Sequence, residues 1–271
     1  MTNRIYEPHI MDNPELPFIF HLDEAVKSNG YLYPNWHANT EILYCISGSG
    51  TVKCETKEFL FSCGELFVCN SNILHTIFSD TGMRYYCLII DQDFCNSNGI
   101  FTGKLHFHER IHDTAASEKF EQIITEYGNA GMCRTAKIRH AVLGLLIFLR
   151  ESYTASEDPM QNDSSAQSVA RIKDSMMYIC QNLTRPLTLD ELSAHAGLSK
   201  FYFSREFKRV TGQTVVEYIH MVRCKEAKRL IAEGMPVSAA AVSCGFENMS
   251  YFSRIYKRCM GYLPSKSNGF L

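Results

Sequence analysis

An internal repeat at a spacing of 49 residues constrains this chain more than any other sequence feature. The segment Tyr202–Arg205 reads Tyr-Phe-Ser-Arg, and the same four residues return as Tyr251–Arg254. Over the eleven positions that start at Tyr202, seven residues recur at this one offset. A duplicated segment of this kind indicates a duplicated supersecondary unit. Each copy predicts a short basic helix that ends at a glycine, Gly212 in the first copy and Gly261 in the second.

The distribution of charge separates the chain into two halves. Residues 168–271 hold 15 Lys or Arg and 8 Asp or Glu, a net charge of +7, whereas residues 1–167 hold 12 and 21, a net charge of −9. A chain of 271 residues is typical of about two domains. The asymmetry predicts that the C-terminal half binds a polyanion and that the acidic half has another task.

The eleven cysteines predict a reducing environment rather than a disulfide framework. Their number is odd, and no Cys-x-x-Cys pair occurs. The first residues lack the apolar segment of a signal peptide. The apolar runs are far shorter than the ~20 residues of a membrane span. We therefore expect a cytoplasmic protein.

Short strands separated by turns are predicted from about residue 31 to residue 91. Aromatic and β-branched residues dominate Glu41–Ser47, which is expected to end at the Gly48-Ser49-Gly50 turn. The other predicted strands are Thr51–Cys54, Glu58–Phe61, Glu65–Val68, His75–Phe78 and Arg84–Ile90. Many short strands with glycines between them are typical of a small barrel or sandwich.

Two helices and a linker follow the strands. Ser117–Tyr127 is the first helix, and Arg134–Tyr153 is the second, with an apolar stripe at helical spacing. The stripe consists of Ile138, Ala141, Val142, Leu145, Leu146 and Leu149. It packs on its own barrel or, in part, on a second subunit. The polar segment at 154–167 is therefore predicted to be a linker between two domains. The domain before it, 1–153, contains the barrel at about 20–110 and the helices at about 117–153. The domain after it, 168–271, is the basic domain.

The basic domain carries the helix-turn-helix pattern twice. Thr188 caps a short helix that ends at Gly197, and Ser199 caps the next helix. After a connecting helix at Gln213–Glu233, the pattern returns with Val237–Ser243, Gly245-Phe246 and a cap at Asn248. The fold class is therefore α+β, with an N-terminal barrel and an all-α domain that contains two helix-turn-helix units.

The second helix of each unit presents an outer face suited to a DNA groove. Phe203, Phe207 and Val210 share the inner stripe of the first copy. The outer residues are Lys200, Phe201, Ser204, Arg205 and Lys208, and in the second copy Met249, Ser250, Tyr251, Ser253 and Arg254. An arginine can donate two hydrogen bonds to guanine, whereas Lys208 is better suited to a phosphate. A connecting helix of about 20 residues is roughly 30 Å long, near the ~34 Å between successive major grooves.

These residues resemble the DNA-binding domain of the AraC/XylS family of bacterial transcription regulators. The resemblance covers nearly all of 168–264 and rests on Leu189-x-x-Leu192, Gly197-Leu198-Ser199, Tyr202–Lys208, Thr211-Gly212, Tyr218-Ile219, Arg223, Ala227, Gly245-Phe246, Tyr251–Lys257 and Gly261-x-x-Pro264. It implies that both outer faces enter successive major grooves of double-stranded DNA. Two positions depart from the family: Lys266-Ser267-Asn268 stands where a Tyr-Arg is usual, and Met249 stands where polar base readers are common.

The acidic half resembles the cupin-like sensing domain of such regulators. His37-x-x-x-Glu41 precedes the glycine turn and His75 follows it, while Asn35 occupies the position of the first histidine in metal-binding cupins. The resemblance implies a small-molecule effector such as a sugar, with Tyr33, His37, Glu41 and His75 as candidate effector-binding residues. The preferred interpretation has no cofactor. The same His and Glu side chains could instead bind a metal ion, or serve only the structure.

The leading hypothesis is a dimeric, effector-controlled transcription regulator, activator or repressor, and not an enzyme. The effector would change how barrel, N-terminal segment (residues 1–20) and DNA domain pack. The first alternative is a metal-binding cupin, either an enzyme or a metal sensor, fused to a DNA-binding module. A second alternative is a structural protein that binds DNA without sequence preference.

Overall fold

The computed structural model describes residues 11, 13, 15–25, 34–156 and 164–269. Tyr33, most of the N-terminal segment and part of the proposed linker lie outside these residues. Apart from Pro34, the described residues fall into two compact units, which divide between residues 156 and 164. None of the described helices is long and apolar enough to cross a membrane.

The first unit is an antiparallel sheet followed by helices. Its strands are β1 (Phe18–Ala25), β2 (Thr40–Cys54), β3 (Lys57–Ser62), β4 (Leu66–Cys69), β5 (His75–Phe78), β6 (Met83–Ile90), β7 (His106–Phe107), β8 (Arg110–Ile111) and β9 (Thr154–Ser156). The main sheet has the order β1-β6-β2-β4-β8, and β3 and β5 pair with β2. Its helices are α1 (Gln92–Ser97), α2 (Thr114–Gly128) and α3 (Arg134–Tyr153).

The long strand β2 corrects one sequence prediction. The glycines at 48–50 do not end a strand, because β2 runs unbroken through them. Its first part pairs with β4 and β6 and its last part with β3 and β5. Gly48 has a φ of +77°, and a Cβ there would lie 2.2 Å from the carbonyl oxygen of Gly82. The glycine therefore permits a bend and a close strand approach, as glycines in strands often do.

The first part of β2 places its alternating side chains in two different cores. Ile42 and Tyr44 belong to the core between the sheet and the helices α2 and α3. Leu43 and Cys45 belong to the core enclosed by the sheet itself. Glu41 lies on the same side of the strand as this second pair, because side chains alternate along a strand. The sheet therefore delivers Glu41 to its own interior.

The predicted apolar stripe of α3 is confirmed and lies within its own unit. All six of its residues are buried and belong to the core beneath the sheet. Ile147, which extends the stripe, is 43% exposed. The six core residues are therefore covered within their own unit, and Ile147 lies at the exposed margin of the stripe.

The second unit consists of helices. They are α4 (Ser164–Gln181), α5 (Leu189–His195), α6 (Lys200–Thr211), α7 (Val215–Ala232), α8 (Val237–Ser243), α9 (Met249–Met260) and a final 3-10 turn at Pro264–Gly269. Helix α7 packs against α6, α8 and α9 and so joins the two helix-turn-helix units. Helix α4 begins at residue 164, inside the segment predicted as a linker, and β9 occupies the other end of that segment.

Candidate nucleic-acid interface and buried polar cluster

The sequence repeat corresponds to a repeated local structure at α6 and α9. The Ser199 side chain accepts a hydrogen bond from the Tyr202 N–H, and the Asn248 side chain accepts one from the Tyr251 N–H. These caps satisfy N–H groups that the first turn of a helix leaves without partners. Both helices have the same length and end at the predicted glycines. The predicted bounds of the repeat are confirmed.

The structure also confirms which faces of α6 and α9 point inward. Phe203, Phe207 and Val210 are buried in α6, and Phe252 and Tyr256 are buried in α9. The ten predicted outer residues are exposed, apart from Ser204 and Ser253, which are half-buried. Phe201 is 79% exposed, an unusual degree for a phenylalanine. Each helix therefore presents a basic and partly aromatic ridge. The base and phosphate roles assigned to these side chains stay predictions.

A tyrosine lies beneath the candidate base-reading arginine in both copies. The Arg205 guanidinium carbon lies 5.1 Å from the ring centroid of Tyr202. In the second copy, the Arg254 guanidinium carbon lies 5.3 Å from the ring centroid of Tyr251. Such cation–π contacts hold the planar guanidinium in a preferred orientation before DNA arrives. Tyr202 was missing from the predicted site, although its i, i+3 spacing to Arg205 was a usable signal.

Removal of the Tyr202 ring should weaken DNA binding through Arg205. We expect Tyr202→Leu to lower affinity about 2–5-fold, which corresponds to the ~0.5–1 kcal/mol of an exposed cation–π contact. Tyr202→Phe keeps the ring and should bind within about a factor of two of wild type, because the contact needs only the aromatic face. Fluorescence anisotropy with a labelled operator measures both variants. Equal losses in both would assign the effect to the hydroxyl group and contradict the stacking role.

The two reading faces differ at their first turns. Lys200 forms an ion pair with Asp190 of α5, whereas the matching position 49 residues later is Met249. Phe201 is matched by Ser250. A phenylalanine can contact a thymine methyl group, and a serine can donate or accept a hydrogen bond. The two copies therefore share a scaffold and present different chemistry to a groove.

Helix α7 holds the second copy in place through two side chains. The Tyr251 hydroxyl lies 3.2 Å from His220 Nε2, and burial, followed by the charge of Arg223, lowers the pKa of His220. Arg223 donates hydrogen bonds to the carbonyl oxygens of Gly245 and Arg185, at 2.9 and 2.8 Å. The Arg223 guanidinium thus connects the turn before α9 to the segment after α4 by hydrogen bonds. Sequence reasoning noted Arg223 only as part of a family pattern.

A buried carboxylate, that of Glu206, stabilises the first copy. Glu206 is 5% exposed. Its carboxylate accepts hydrogen bonds from Arg209 at 2.6 Å and from the Ser168 hydroxyl at 2.9 Å. Arg209, whose side chain is 38% exposed, therefore reaches from the surface to a buried carboxylate. The hydrogen bond from Arg209 lowers the pKa of the Glu206 carboxyl by more than burial raises it, so this pKa lies below its usual value.

In the first unit, three of the predicted effector residues meet in one buried cluster. His37, Glu41 and His75 are 2%, 6% and 3% exposed. Glu41 lies on β2 and His75 on β5, and Asn35, close to His37 in the chain, pairs with His75 in an isolated bridge. The Glu41 Oε2 atom lies 3.1 Å from His37 Nε2 and 3.0 Å from His75 Nε2. The sequence predicted all three residues but not their contacts.

The remaining polar atoms of the cluster also have partners. The Nδ1 atoms of His37 and His75 each lie 2.9 Å from a backbone carbonyl oxygen, that of Asn39 and that of Ile73. Glu41 Oε1 accepts a hydrogen bond from the Cys87 thiol at 3.1 Å. Burial would raise the pKa of Glu41, but the charge of His75 and hydrogen bonds from both histidines outweigh it and hold this pKa well below 4.5. Burial lowers the pKa of His75, but the negative charge of Glu41 and the hydrogen bond to it outweigh burial and raise this pKa above 6.5.

Apolar and thiol side chains surround this cluster. The enclosed core around it contains Leu43, Phe61, Phe67, Tyr85 and Cys69 among its buried residues. Trp36 is also buried, with 6% of its surface exposed. A charged cluster in such surroundings is costly unless its charges are paired or bound to a metal. The cluster is therefore a group of buried polar side chains among apolar and thiol neighbours, and it is the candidate binding site of this unit.

Comparisons with known proteins identify both units. A sequence model of the AraC-like ligand binding domain matches residues 24–159, half of the chain, and a model of a helix-turn-helix domain matches residues 192–268. The arabinose operon regulatory protein of Escherichia coli is 24% identical over 263 residues, which cover 91% of this chain and 83% of that protein. The transcriptional activator AarP of Providencia stuartii is 32% identical over 95 residues, 35% of this chain and 70% of that protein.

The chain therefore belongs to the AraC family of transcription regulators. It is a DNA-binding regulator whose N-terminal unit is a ligand-binding domain, as the sequence predicted. Among solved structures, an apo form of a ToxT variant from Vibrio cholerae is 15% identical, with a TM-score of 0.49, and the match covers 94% of this chain and 98% of that one.

Proposed function

We propose that this regulator places α6 and α9 in two successive major grooves of double-stranded DNA. The observation that carries the proposal is the duplicated pair of capped helices with matched inner and outer faces. The connecting helix α7 has 18 residues, a length of about 27 Å. This length is near the ~34 Å that separates successive major grooves on one side of DNA.

Within this arrangement, the side chains divide into base readers and phosphate contacts. Arg205 and Arg254 are the proposed guanine readers, because each guanidinium is exposed and held by a tyrosine. Phe201 and Met249 supply apolar contacts that suit thymine methyl groups. Ser204, Ser250, Ser253 and Tyr251 are proposed to bond bases or sugar-phosphate, and Lys200 and Lys208 to bind phosphates. The exposed faces on which all ten side chains lie support these roles.

Selection of preferred sites from random DNA tests the proposed function. A purified full-length chain should bind the selected sequence at least about 1000-fold more tightly than random DNA at about 150 mM salt. Similar affinity for both would instead support a structural protein that binds DNA without sequence preference. The relatives above are transcription regulators, and we assign the chain no catalytic residue.

The proposed effector site is the interior of the N-terminal sheet, with His37, Glu41 and His75 as the candidate residues. A sugar would need hydrogen-bond partners there, but the polar atoms of these side chains are directed at one another and at backbone carbonyls. The geometry therefore does not favour a sugar bound directly to these three side chains. A carbohydrate effector would have to contact other parts of the domain.

We also propose that the chain acts as a homodimer through its N-terminal unit. The exposed Ile147, at the margin of the α3 stripe, supports such a contact. Residues 164–271 alone should then bind operator DNA about 10–100-fold more weakly than the full chain, because linked binding modules gain effective concentration. Titration of both proteins against the same operator measures the difference. Equal affinities would remove the argument for dimerisation through α3.

A further inference from the structure

The buried cluster requires positive charge between its three ligand atoms. Backbone carbonyl oxygens only accept hydrogen bonds, so the Nδ1 atoms of His37 and His75 must both carry hydrogen. In a neutral imidazole this leaves a lone pair on Nε2. Both Nε2 atoms face the same oxygen, Oε2 of Glu41. A lone pair directed at a carboxylate is repulsive, so either protons or a metal cation must lie between these atoms.

The spacing of these atoms allows a metal centre. All three ligand atoms lie within 4.8 Å of one another. Around a tetrahedral ion with bonds of about 2.0–2.1 Å, neighbouring ligand atoms are about 3.3 Å apart. The two distances to Glu41 Oε2, 3.1 and 3.0 Å, are close to this value, and the two imidazole nitrogens would move towards each other when a tetrahedral ion binds.

The surroundings of the ligands also resemble those of a metal site. Histidines that bind metals almost always donate their second N–H to a carbonyl or carboxylate, which fixes the ring. Both histidines do so here, and the Cys87 thiol holds the other oxygen of Glu41. The ring centroids of the two histidines lie 5.2 Å apart, so the rings are neighbours on either side of the Glu41 carboxylate.

We propose that His37, Glu41 and His75 bind one divalent first-row transition-metal ion, such as Zn²⁺, Fe²⁺ or Mn²⁺. Two imidazole nitrogens and one carboxylate oxygen are a ligand set that suits these ions. Three protein ligands leave a coordination position for water or for a donor atom of an effector. The metal site stands on its own geometry, but its role in controlling DNA binding rests on the proposed function.

Metal content and spectroscopy of the full-length chain test the site. After chelator treatment and incubation with Zn²⁺, we expect one ion per chain to survive gel filtration. Substitution with Co²⁺ should give the visible absorption of a tetrahedral or five-coordinate ion, and X-ray absorption should show nitrogen and oxygen ligands only. Substoichiometric metal, or sulfur ligands from the cysteines, would overturn the proposal and leave a cluster held by protons.

Matched variants assign the metal to these residues. His75→Gln and Glu41→Gln should weaken binding about 100-fold or more, because each removes a direct ligand. The control is His106→Gln, since His106 lies 3.5 Å from Glu109 in another half-buried His–Glu pair of the same unit. This control should keep full binding. Retained binding in folded His75→Gln and Glu41→Gln contradicts the assignment; if both fail to fold, the wild-type stoichiometry and X-ray absorption decide.

A separate measurement distinguishes the metal site from its regulatory role. Operator affinity of the wild-type chain is measured with Zn²⁺ and after chelation, beside the His106→Gln control. A change of at least about fivefold supports control by the metal, the lower end of typical coupling between sites. If the ion binds but the operator affinity does not change, the regulatory role is contradicted and the metal-site proposal still holds. Metal binding in a chain that binds no operator contradicts the proposed function alone.

Discussion

Arg205→Ala is expected to weaken binding to the cognate operator by about 1–3 kcal/mol, or roughly 5–150-fold, and to relax the preference at one base pair. The physical reason is the loss of two hydrogen bonds to one guanine edge. The guanidinium is exposed on α6 and stacked on Tyr202, so its removal costs little folding energy. A panel of operators with single base changes, titrated against both proteins, measures the effect.

Lys208→Ala is the matched control on the same helix. Lys208 is exposed one helical turn after Ser204, and a phosphate contact carries no base information. This variant should weaken all operators alike and reduce the salt slope of binding by about one unit. Uniform weakening by Arg205→Ala as well would reassign Arg205 to a phosphate and remove the principal base contact of the first copy.

Arg254→Ala gives the same test for the second copy, at a different part of the operator. Because the first turns of α6 and α9 differ in chemistry, the base preferences affected by the two arginine variants should also differ. Loss of preference at the same base pair in both variants would contradict simultaneous insertion of two helices into two grooves. The prediction therefore tests the arrangement as well as the two side chains.

The helical half was predicted well because its signals are local. Ser199 and Asn248 cap their helices as predicted, and a cap depends only on residues within one turn. The inner and outer faces follow from the helical period alone. The stacking of Tyr202 on Arg205 is equally local, because the two residues lie three positions apart on one helix. The contacts of Arg223 join segments far apart in the chain, and no local pattern encodes them.

In the strand half, the sequence predicted where strands form but not how β2 continues through its glycines or how distant segments pair. Strand β5 has the predicted bounds, because β-branched and aromatic residues mark strands locally. The glycines of β2 gave a misleading signal, since glycine permits both a turn and a bend within a strand. The resemblance suggested His37, Glu41 and His75 as a site, but their contacts depend on the pairing of β5 with β2 and on the bridge between Asn35 and His75. These pairings join segments far apart in the chain, and no local pattern in the sequence encodes them.

Alanine variants of the glycines in the turns before α6 and α9 should differ most in the free energy of unfolding. Gly197 and Gly245 each follow the C-cap residue of a short helix, with φ values of +64° and +79°. An added Cβ at Gly197 would meet nothing within 4 Å. At Gly245 it would lie 2.5 Å from the Leu183 carbonyl oxygen and 2.8 Å from the Arg223 guanidinium. The same substitution therefore meets open space in one copy and a packed contact in the other.

Gly245→Ala should destabilise the helical unit by about 3–5 kcal/mol, whereas Gly197→Ala should cost about 1–2 kcal/mol. The smaller cost is the strain of a left-handed residue that has a Cβ. The larger one adds the clash with the Leu183 carbonyl oxygen and the displacement of Arg223, whose hydrogen bonds to Gly245 and Arg185 would be lost, at about 1.5–3 kcal/mol for bonds to a charged group. Urea unfolding of the full chain, followed by far-UV circular dichroism, measures both.

A double variant separates the lost hydrogen bonds from the strain. If displacement of Arg223 contributes to the extra cost, Gly245→Ala should cost less in a chain that already carries Arg223→Ala, because the two changes remove the same hydrogen bonds. The left-handed strain of about 1–2 kcal/mol and the contact with the Leu183 carbonyl oxygen would remain. Gly197→Ala should add its full cost in that background, since no contact with Arg223 is involved. Equal costs for the two alanines in the wild-type chain would mean that the turn before α9 relaxes freely. Arg223 would then not be the residue that holds the second recognition helix in register.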